Sequence, residues 1–311
     1  MAHTITQLVA VSYPAVLAEK RRPENQWAES SFLREMERQG MVERRSLGAT
    51  IQFPLDYQRN QGGDFLATDL AATSLSKPDV ITAADYSVAE LSVPVVWSKK
   101  DEATNPSENQ KVAFVASLLS NAIETHDDLI EDKIFETTTS GFLGLLTHVP
   151  TSGQGSSGGI SGVDHTFWRN QFSAYVDDTD IESAFTTIWN NCSKGSGSKL
   201  APTLMTGAAA TQSLFEGTQQ AQQRYVDSQE LKAGFKVLSF KTSRFVFSQY
   251  QAADTVYFLN PKNFKLVVSK QYFRDRGDTQ EIPNANGFVT KIYSALQSCT
   301  NNKSRLGVAY V

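Results

Sequence analysis

One long amphipathic segment constrains the fold of this chain more than any other feature. Asn105-Pro106 supplies a capping side chain and then a proline in the first turn, a typical helix opening. Apolar residues then recur at three- and four-residue steps: Val112, Val115, Leu118, Leu119, Ala122, Ile123, Leu129, Ile130, Ile134 and Phe135. The pattern predicts a rod of about 45 Å that stops at residues 137–141, a Thr/Ser run followed by glycine.

Two alternating segments before this helix predict a long β-hairpin. Residues 49–55 and 86–93 alternate apolar and polar side chains, the pattern of half-buried strands. Residues 60–84 between them are mostly small or polar and contain Gly62, Gly63 and Pro78. A connection of that length is unusual in a compact domain unless it has a role outside the domain.

The first 45 residues predict an arm rather than a domain. Prolines interrupt the segment, and six arginines make it locally basic: Arg21, Arg22, Arg34, Arg38, Arg44 and Arg45. A short helix is expected between Trp27 and Gly40, with glycine placed to end it. Because the segment has too few apolar residues for a core of its own, we expect it to lie on another surface.

The rest of the chain predicts mixed helices and strands, which makes the fold class α+β. Residues 151–162 form a Gly/Ser-rich loop, and Asp177 to Asp180 precede a helix that carries Ile181, Phe185 and Ile188. Another helix is expected at residues 207–223. Strands are expected at residues 200–205, 235–240, 245–248, 255–259, 264–268 and 288–294.

Charge and hydropathy exclude several classes of protein. The 311-residue chain has a net charge of −4, so it lacks the basic excess of proteins that grip DNA by its phosphates. No apolar run approaches the ~20 residues that span a bilayer, and the N-terminal charges follow the apolar stretch, unlike a secretory signal. Cys192 and Cys299 are expected to be free thiols.

Motifs that carry chemistry are weak in this sequence. Residues 155–159 match G-x-S-x-G around Ser157, but in a Gly/Ser tract instead of a strand–turn–helix. Residues 196–199 match S-x-x-K without its partner motifs. Residues 177–180 could hold a cation but lack the glycine and glutamate of an EF-hand, so helix capping is favoured. The four histidines, His3, His126, His148 and His165, have no metal-ligand spacing.

An ordered set of short motifs resembles tailed-bacteriophage major capsid proteins. The matching segments are GGIS at 158–161, FWRNQ at 167–171, PTLMT at 202–206, QQRY at 222–225 with Asp227, AGF at 233–235, LSF at 238–240 and VYFLN at 256–260. Each is weak alone, but their order and spacing match those of the family. The sequence departs from the family at residues 211–213 and 241–244, and neither departure touches a functional residue.

The resemblance implies the Hong Kong 97-type fold. On that basis residues 1–45 are the N-arm, and residues 46–95 the extended β-hairpin loop that overlaps the next subunit. Residues 96–140 carry the spine helix of the peripheral domain. Residues 141–285 build the axial domain, with strands returning to the peripheral domain, and residues 286–311 form a C-terminal strand and tail. The family has no catalytic site, and no cofactor or metal is expected.

The function that the resemblance implies is structural. Copies would assemble into hexamers and pentamers of an icosahedral head enclosing double-stranded DNA, with weak non-specific DNA contact. Expected partners are a portal, a scaffold and decoration proteins, and the expected location is the virion, assembled in the bacterial cytoplasm. Three alternatives stay open: an encapsulin-type compartment, a tail or baseplate component, and a hydrolase that uses Ser157.

Interface residues follow from this interpretation as hypotheses. Basic residues of the arm would pair with acidic spine residues of a neighbour; the alternative is solvated surface charge. The basic set is Arg21, Arg22, Arg34, Arg44 and Arg45, and the acidic set is Asp127, Asp128 and Glu131. Phe65 and Leu66, apolar within a polar loop, would dock on an adjoining subunit. Trp168 and Arg169 are expected to stabilise their own subunit.

Overall fold

The structure is a computed structural model, and it describes residues 31–57, 81–104, 108–177, 180–194, 201–222, 238–283 and 285–311. Within these ranges the fold is α+β, as predicted. The helices are α1 (Ser31–Arg38), α2 (Lys99–Thr104), α3 (Glu108–Phe135), α4 (Leu145–His148), α5 (Ile181–Ser193) and α6 (Ala209–Gln222), with 3-10 turns at Thr166–Trp168 and Lys303–Arg305. No helix among these is long and apolar enough to cross a membrane.

The strands in the same ranges form two larger sheets and two hairpins. They are β1 (Val42–Arg45), β2 (Thr50–Asp56), β3 (Ile81–Ser87), β4 (Ala89–Ser98), β5 (Thr138–Thr139), β6 (Phe142–Leu143), β7 (Gln171–Ala174), β8 (Leu204–Gly207), β9 (Ser239–Phe240), β10 (Ser243–Phe247), β11 (Thr255–Leu259), β12 (Phe264–Arg276), β13 (Gln280–Glu281), β14 (Gly287–Thr300) and β15 (Gly307–Tyr310). The hairpins are β2–β3 and β5–β6.

The first sheet supports the predicted long helix. Its order is β1-β12-β14-β13, with β4 also paired to β14. The first half of α3 packs on β4 and β14 through Val115, Leu119 and Ile123 against Val93 and Ile292. These side chains are buried because the 3.6-residue period of the helix places them on one face. We call α3 the spine helix from here on.

The second sheet is mixed and has the order β7-β15-β11-β8-β10-β9. Helices α5 and α6 contribute Phe185 and Phe215 to its core, and these rings contact Phe240, Phe245 and Phe258 from the strands. A separate cluster joins this sheet to the first, because it contains residues of β8, β11, β12, β14 and the end of the spine helix. The two sheets are therefore joined by one shared cluster of buried residues.

Residues 31–45 of the predicted arm belong to the folded core. Phe32, Leu33 and Met36 of α1 are fully buried in the cluster between the sheets. Strand β1 pairs in parallel with β12, Val42 opposite Leu266. Gly40 ends the helix with φ +72, a conformation that glycine tolerates. Residues 1–30 of the predicted arm lie outside the described residues.

The two strands of the described hairpin have bounds that differ from the predicted ones. Strands β2 and β3 pair antiparallel, from Thr50 opposite Ser87 to Asp56 opposite Ile81. The alternating pattern predicts the second strand at residues 86–93, but the chain leaves the hairpin after Ser87, and β4 enters the first sheet beside β14. The hairpin therefore ends at Ser87 and not at residue 95. Residues 58–80 lie outside the described residues.

The C-terminal residues are central strands and not a tail. Strand β14 lies between β12 and β4, and β15 lies between β7 and β11. Strand β11 has the predicted bounds, whereas β12 and β14 extend well beyond the predicted segments because they pair with each other. Cys192 and Cys299 are buried free thiols, as expected.

Replacing Phe32 by alanine tests whether α1 belongs to the core. We expect a loss of about 3–5 kcal/mol in the free energy of unfolding, because a fully buried aromatic ring leaves a cavity. Guanidinium unfolding of the purified chain gives this value. Arg34→Ala, an exposed change on the same helix, should stay within about 0.5 kcal/mol. Equal effects of the two changes would contradict the core assignment.

Candidate functional site

The base of the hairpin is anchored on the body of its own subunit. The Tyr86 hydroxyl donates to the Thr300 carbonyl at 2.7 Å, and the Asp85 amide donates to the Gly158 carbonyl at 3.0 Å. Gly158 has φ +62, and a Cβ there would lie 2.8 Å from the Ala84 Cβ. Only glycine permits this approach of loop and hairpin, which gives the GGIS motif a structural reason.

The FWRNQ motif also acts within the subunit. Trp168 is buried and its Nε1 donates to the Ser157 carbonyl at 3.1 Å. Arg169 donates from Nε and Nη2 to the carbonyls of Gly162 (2.8 Å) and Val163 (2.9 Å). These contacts close the 155–169 loop on itself. They fit the expectation that Trp168 and Arg169 stabilise their own subunit.

Asp127 of the spine helix is buried, contrary to the interface hypothesis. Its carboxylate forms an ion pair with the guanidinium of Arg274 on β12, and both side chains are almost fully inaccessible. His126 Nδ1 lies 3.0 Å from the same Asp127 oxygen, while His126 Nε2 lies 2.7 Å from Ser294 Oγ. Burial lowers the pKa of His126, against the opposing effect of Asp127. Asp127 therefore connects the helix to its own sheet.

Glu131, one turn further along the spine helix, also contradicts the interface hypothesis. It is buried, and the Ser248 hydroxyl after β10 donates to its carboxylate at 2.5 Å. Asp128 lies on the exposed face of the helix, so of the three acidic spine residues it alone retains the predicted surface position. The hypothesis failed for Asp127 and Glu131 because their partners come from sequence positions more than 100 residues away.

The described arm arginines make contacts near their own positions. Arg44 pairs with Glu37 at 2.9 Å, and Arg45 pairs with Glu43 at 2.5 Å. The Arg45 guanidinium also lies 5.1 Å from the ring centroid of Phe53 on the hairpin. Arg34 is exposed. Arg21, Arg22, Phe65 and Leu66 lie outside the described residues, so their interface roles stay predictions.

An apolar pocket lies beside the root of the hairpin. It has a volume of about 190 Å³ and is lined by Leu91 of β4, Leu129 and Ile130 of the spine helix, and Phe142 of β6, with Glu90 and Lys133 among the polar lining residues. A cavity of roughly 150 Å³ with such a lining accepts a benzene-sized group. The pocket can therefore accept one apolar side chain. We call it the spine pocket.

Ser157 forms a serine–histidine contact that the sequence analysis did not find. His148 Nδ1 lies 3.2 Å from Ser157 Oγ, and its Nε2 lies 2.9 Å from Ser298 Oγ. All three side chains are buried, and the His148 ring is oriented by the Ser298 hydroxyl and not by a carboxylate. Burial, with the nearby Lys303, lowers the pKa of His148 to about 3, far from the value that suits a general base near neutral pH. The arrangement does not favour the hydrolase alternative.

Metal and cation candidates find no further support in the described portion of the chain. No group of three or more His, Cys, Asp or Glu side chains is positioned to hold a metal ion there. Asp180 precedes α5 without a capping hydrogen bond from its side chain. Its neighbours at residues 178–179, and the S-x-x-K segment at 196–199, lie outside the described residues.

Comparison with solved structures places the fold among shell-forming proteins. The capsid protein of cyanophage A-1(L) matches with a TM-score of 0.62 and 16% identity over 87% of this chain and 90% of that one. The capsid of Myoviridae phage XM1 matches with a TM-score of 0.57 and 10% identity, over 88% of this chain and 90% of that one. The SrpI encapsulin of Synechococcus elongatus matches with a TM-score of 0.55 and 9% identity, over 87% of this chain and 85% of that one. The chain therefore has the Hong Kong 97-type fold.

Sequence comparison alone finds no such relatives: no protein-family model and no curated protein matches the chain. At identities of 9–16% only the fold is conserved strongly enough to be recognised. The matched structures are capsids and an encapsulin complex, and the likeness to them shows the fold of this chain.

The buried ion pair predicts a large effect of Asp127→Asn. The change removes the Asp127 carboxylate from its buried ion pair with Arg274, so we expect a loss of about 3–5 kcal/mol in the free energy of unfolding. Asp128→Asn, the adjacent exposed position, serves as the control and should change it by less than about 0.5 kcal/mol. Similar losses for both variants in denaturant titrations would refute the intramolecular role of Asp127.

The buried Lys303 side chain should make the free energy of unfolding depend on pH. It is fully buried, its Nζ donates to the Gly155 carbonyl at 2.8 Å, and burial lowers its pKa from 10.5 to about 7. Between these values the unfolded chain binds a proton that the folded chain does not, so stability rises with pH from about 7 upward.

Thermal unfolding of the wild type and Lys303→Met between pH 6.5 and 8.5 checks this dependence. The difference in Tm, wild type minus variant, should increase with pH, because only the wild type gains stability from the neutral amine. Subtraction of the variant removes the contributions of the other titrating groups. A difference that stays constant over this range would contradict the assignment.

Proposed function

We propose that this chain is the major capsid protein of a tailed bacteriophage, assembling into hexamers and pentamers of an icosahedral head that encloses double-stranded DNA. The observation that carries the proposal is the fold, which matches a cyanophage capsid protein over 87% of this chain and 90% of that one. The ordered motifs from GGIS to VYFLN support the phage assignment independently of the fold. The function is mechanical and needs no catalytic residue.

An encapsulin-type compartment protein is the second candidate. The match to the SrpI encapsulin, with a TM-score of 0.55, is the observation that favours it. The capsid-like motifs favour the phage protein. Genes for a portal and a terminase beside the coding sequence would support the phage assignment, whereas a neighbouring enzyme gene would support the compartment.

The hairpin and the spine pocket supply the two halves of a contact between copies. Seven residue pairs of the hairpin base extend about 20 Å, and residues 58–80 continue beyond them. The spine pocket lies at the root of the same hairpin, beside Ala89. We expect Phe65 or Leu66 of one copy to fill the pocket of the next, a head-to-tail contact that closes into rings.

Charge does not add to this contact, because Glu90 lines the spine pocket as well and Lys133 is already paired with Asp132 and Glu136. The N-terminal arginines Arg21, Arg22 and Arg34, together with exposed Asp128, form a second proposed pairing between copies. Exposed pairs of this kind contribute little individually, so the apolar contact is the main determinant.

The remaining partners follow from the proposed role. A portal, a separate scaffold and decoration proteins would contact the shell, and packaged DNA would touch its inner face weakly, in keeping with a net charge of −4. The protein would be located in the virion after assembly in the bacterial cytoplasm.

Electron microscopy of the purified, overexpressed chain tests the proposal. We expect closed shells, or free hexamers and pentamers, because each copy carries a donor hairpin and an acceptor pocket. Phe65→Ser with Leu66→Ser should reduce assembly, because the proposed contact loses both apolar side chains, and circular dichroism of the purified variant checks that the subunit is folded.

The matched control is Leu70→Ser with Leu75→Ser, which removes the same number of apolar residues from the same segment. Equal loss of assembly in both double variants would contradict the specific contact. Stable monomers of the wild type at high concentration would contradict the proposed function itself.

A further inference from the structure

A second cavity lies on the other side of the hairpin base. Its volume is about 300 Å³, and its walls come from Tyr57 after β2, the 166–171 segment, the end of α5 and the 301–304 turn. We call it the hairpin-base cleft. The rings of Tyr57 and Phe167 stack with centroids 4.8 Å apart and form an apolar wall.

The hairpin-base cleft is positively charged. Arg169 and Lys194 line it, and none of its described lining residues is acidic. Two further basic side chains lie close behind: the Lys303 Nζ is 5.7 Å from the Trp168 ring centroid, and Arg305 is near enough to Lys194 to repel it. None of these four basic side chains has a carboxylate within ion-pair distance among the described residues, whereas Arg44, Lys133 and others do.

The two lining cations are held in place but retain free donors. Arg169 uses two of its five N–H groups on the Gly162 and Val163 carbonyls. Lys194 donates one of its three N–H groups to Ser304 Oγ, at 3.0 Å. The pKa of Lys194 is lowered by burial and then by Arg305, the direction expected where positive charge is uncompensated. An anion in the cleft would relieve this repulsion.

We propose that the hairpin-base cleft binds a phosphate group. Two cations from separate elements, with the hydroxyl of Thr166, surround one cavity. This set suits an anion with several oxygens and more than one negative charge better than a single carboxylate. The inference does not depend on the proposed shell function, because every residue involved belongs to one subunit.

The phosphate could come from two sources with the same chemistry, a nucleic-acid backbone or a free phosphate ion. The aromatic wall of Tyr57 and Phe167 would add base stacking for a single strand, whereas a free ion would use the cations alone. The two sources are therefore distinguished by which probe binds.

Isothermal titration calorimetry on the full-length chain tests the site, with inorganic phosphate and a short oligothymidylate as probes. Binding of either supports it, and the tighter probe identifies the source. Lys194→Met should weaken binding by about tenfold, since one charge-assisted hydrogen bond is lost, while Lys194→Arg should retain it. Lys270→Met, an exposed change elsewhere on β12, is the matched control and should have no effect.

Any of three results would overturn the proposal. The first is that neither probe binds at low salt, and the second is that Lys194→Met and Lys270→Met bind the phosphate probes equally well. The third is that oligoglutamate binds more tightly than both phosphate probes. The last result would assign the cleft to an acidic peptide. Shell formation by the same variants, observed by electron microscopy, is scored separately, so that failure of the site and failure of the shell function remain distinguishable.

Discussion

The buried ion pair between Asp127 and Arg274 determines how the spine helix lies on the first sheet. Apolar packing is not directional, so the helix could otherwise slide along β4 and β14 with little change in buried area. Arg274 has φ +52 and lies where the pairing of β12 with β14 shifts register. Because an unpaired buried charge is costly, only one placement of the helix satisfies both side chains.

The position of the spine helix on the first sheet also determines where the second sheet and the hairpin base lie. Glu131, one turn after Asp127, meets Ser248 at the end of β10, so the same face of the helix connects to both sheets. Strand β14 then ends at Thr300, whose carbonyl holds Tyr86 of the hairpin. The spine helix, the two sheets and the hairpin base thus form one frame in which each element positions the next.

Local patterns predicted those parts of the fold whose signal lies within a single element. The spine helix and β11 were found because periodicity is a local property. Strand β1 was missed, since its sequence VERR is highly charged and its partner β12 lies more than 200 residues away. Asp127 and Glu131 were placed on the surface for the same reason: a helical pattern cannot reveal a partner such as Arg274. The spine pocket and the hairpin-base cleft likewise join distant segments.

A rigid frame has a consequence for the proposed shell. The hairpin base leaves the subunit in a direction fixed by Tyr86 and Asp85, so the distance from that base to the spine pocket is the same in every copy. Rings of five and six need different angles between neighbours. If the frame does not change, that adjustment must come from the contacts between copies and not from within the subunit.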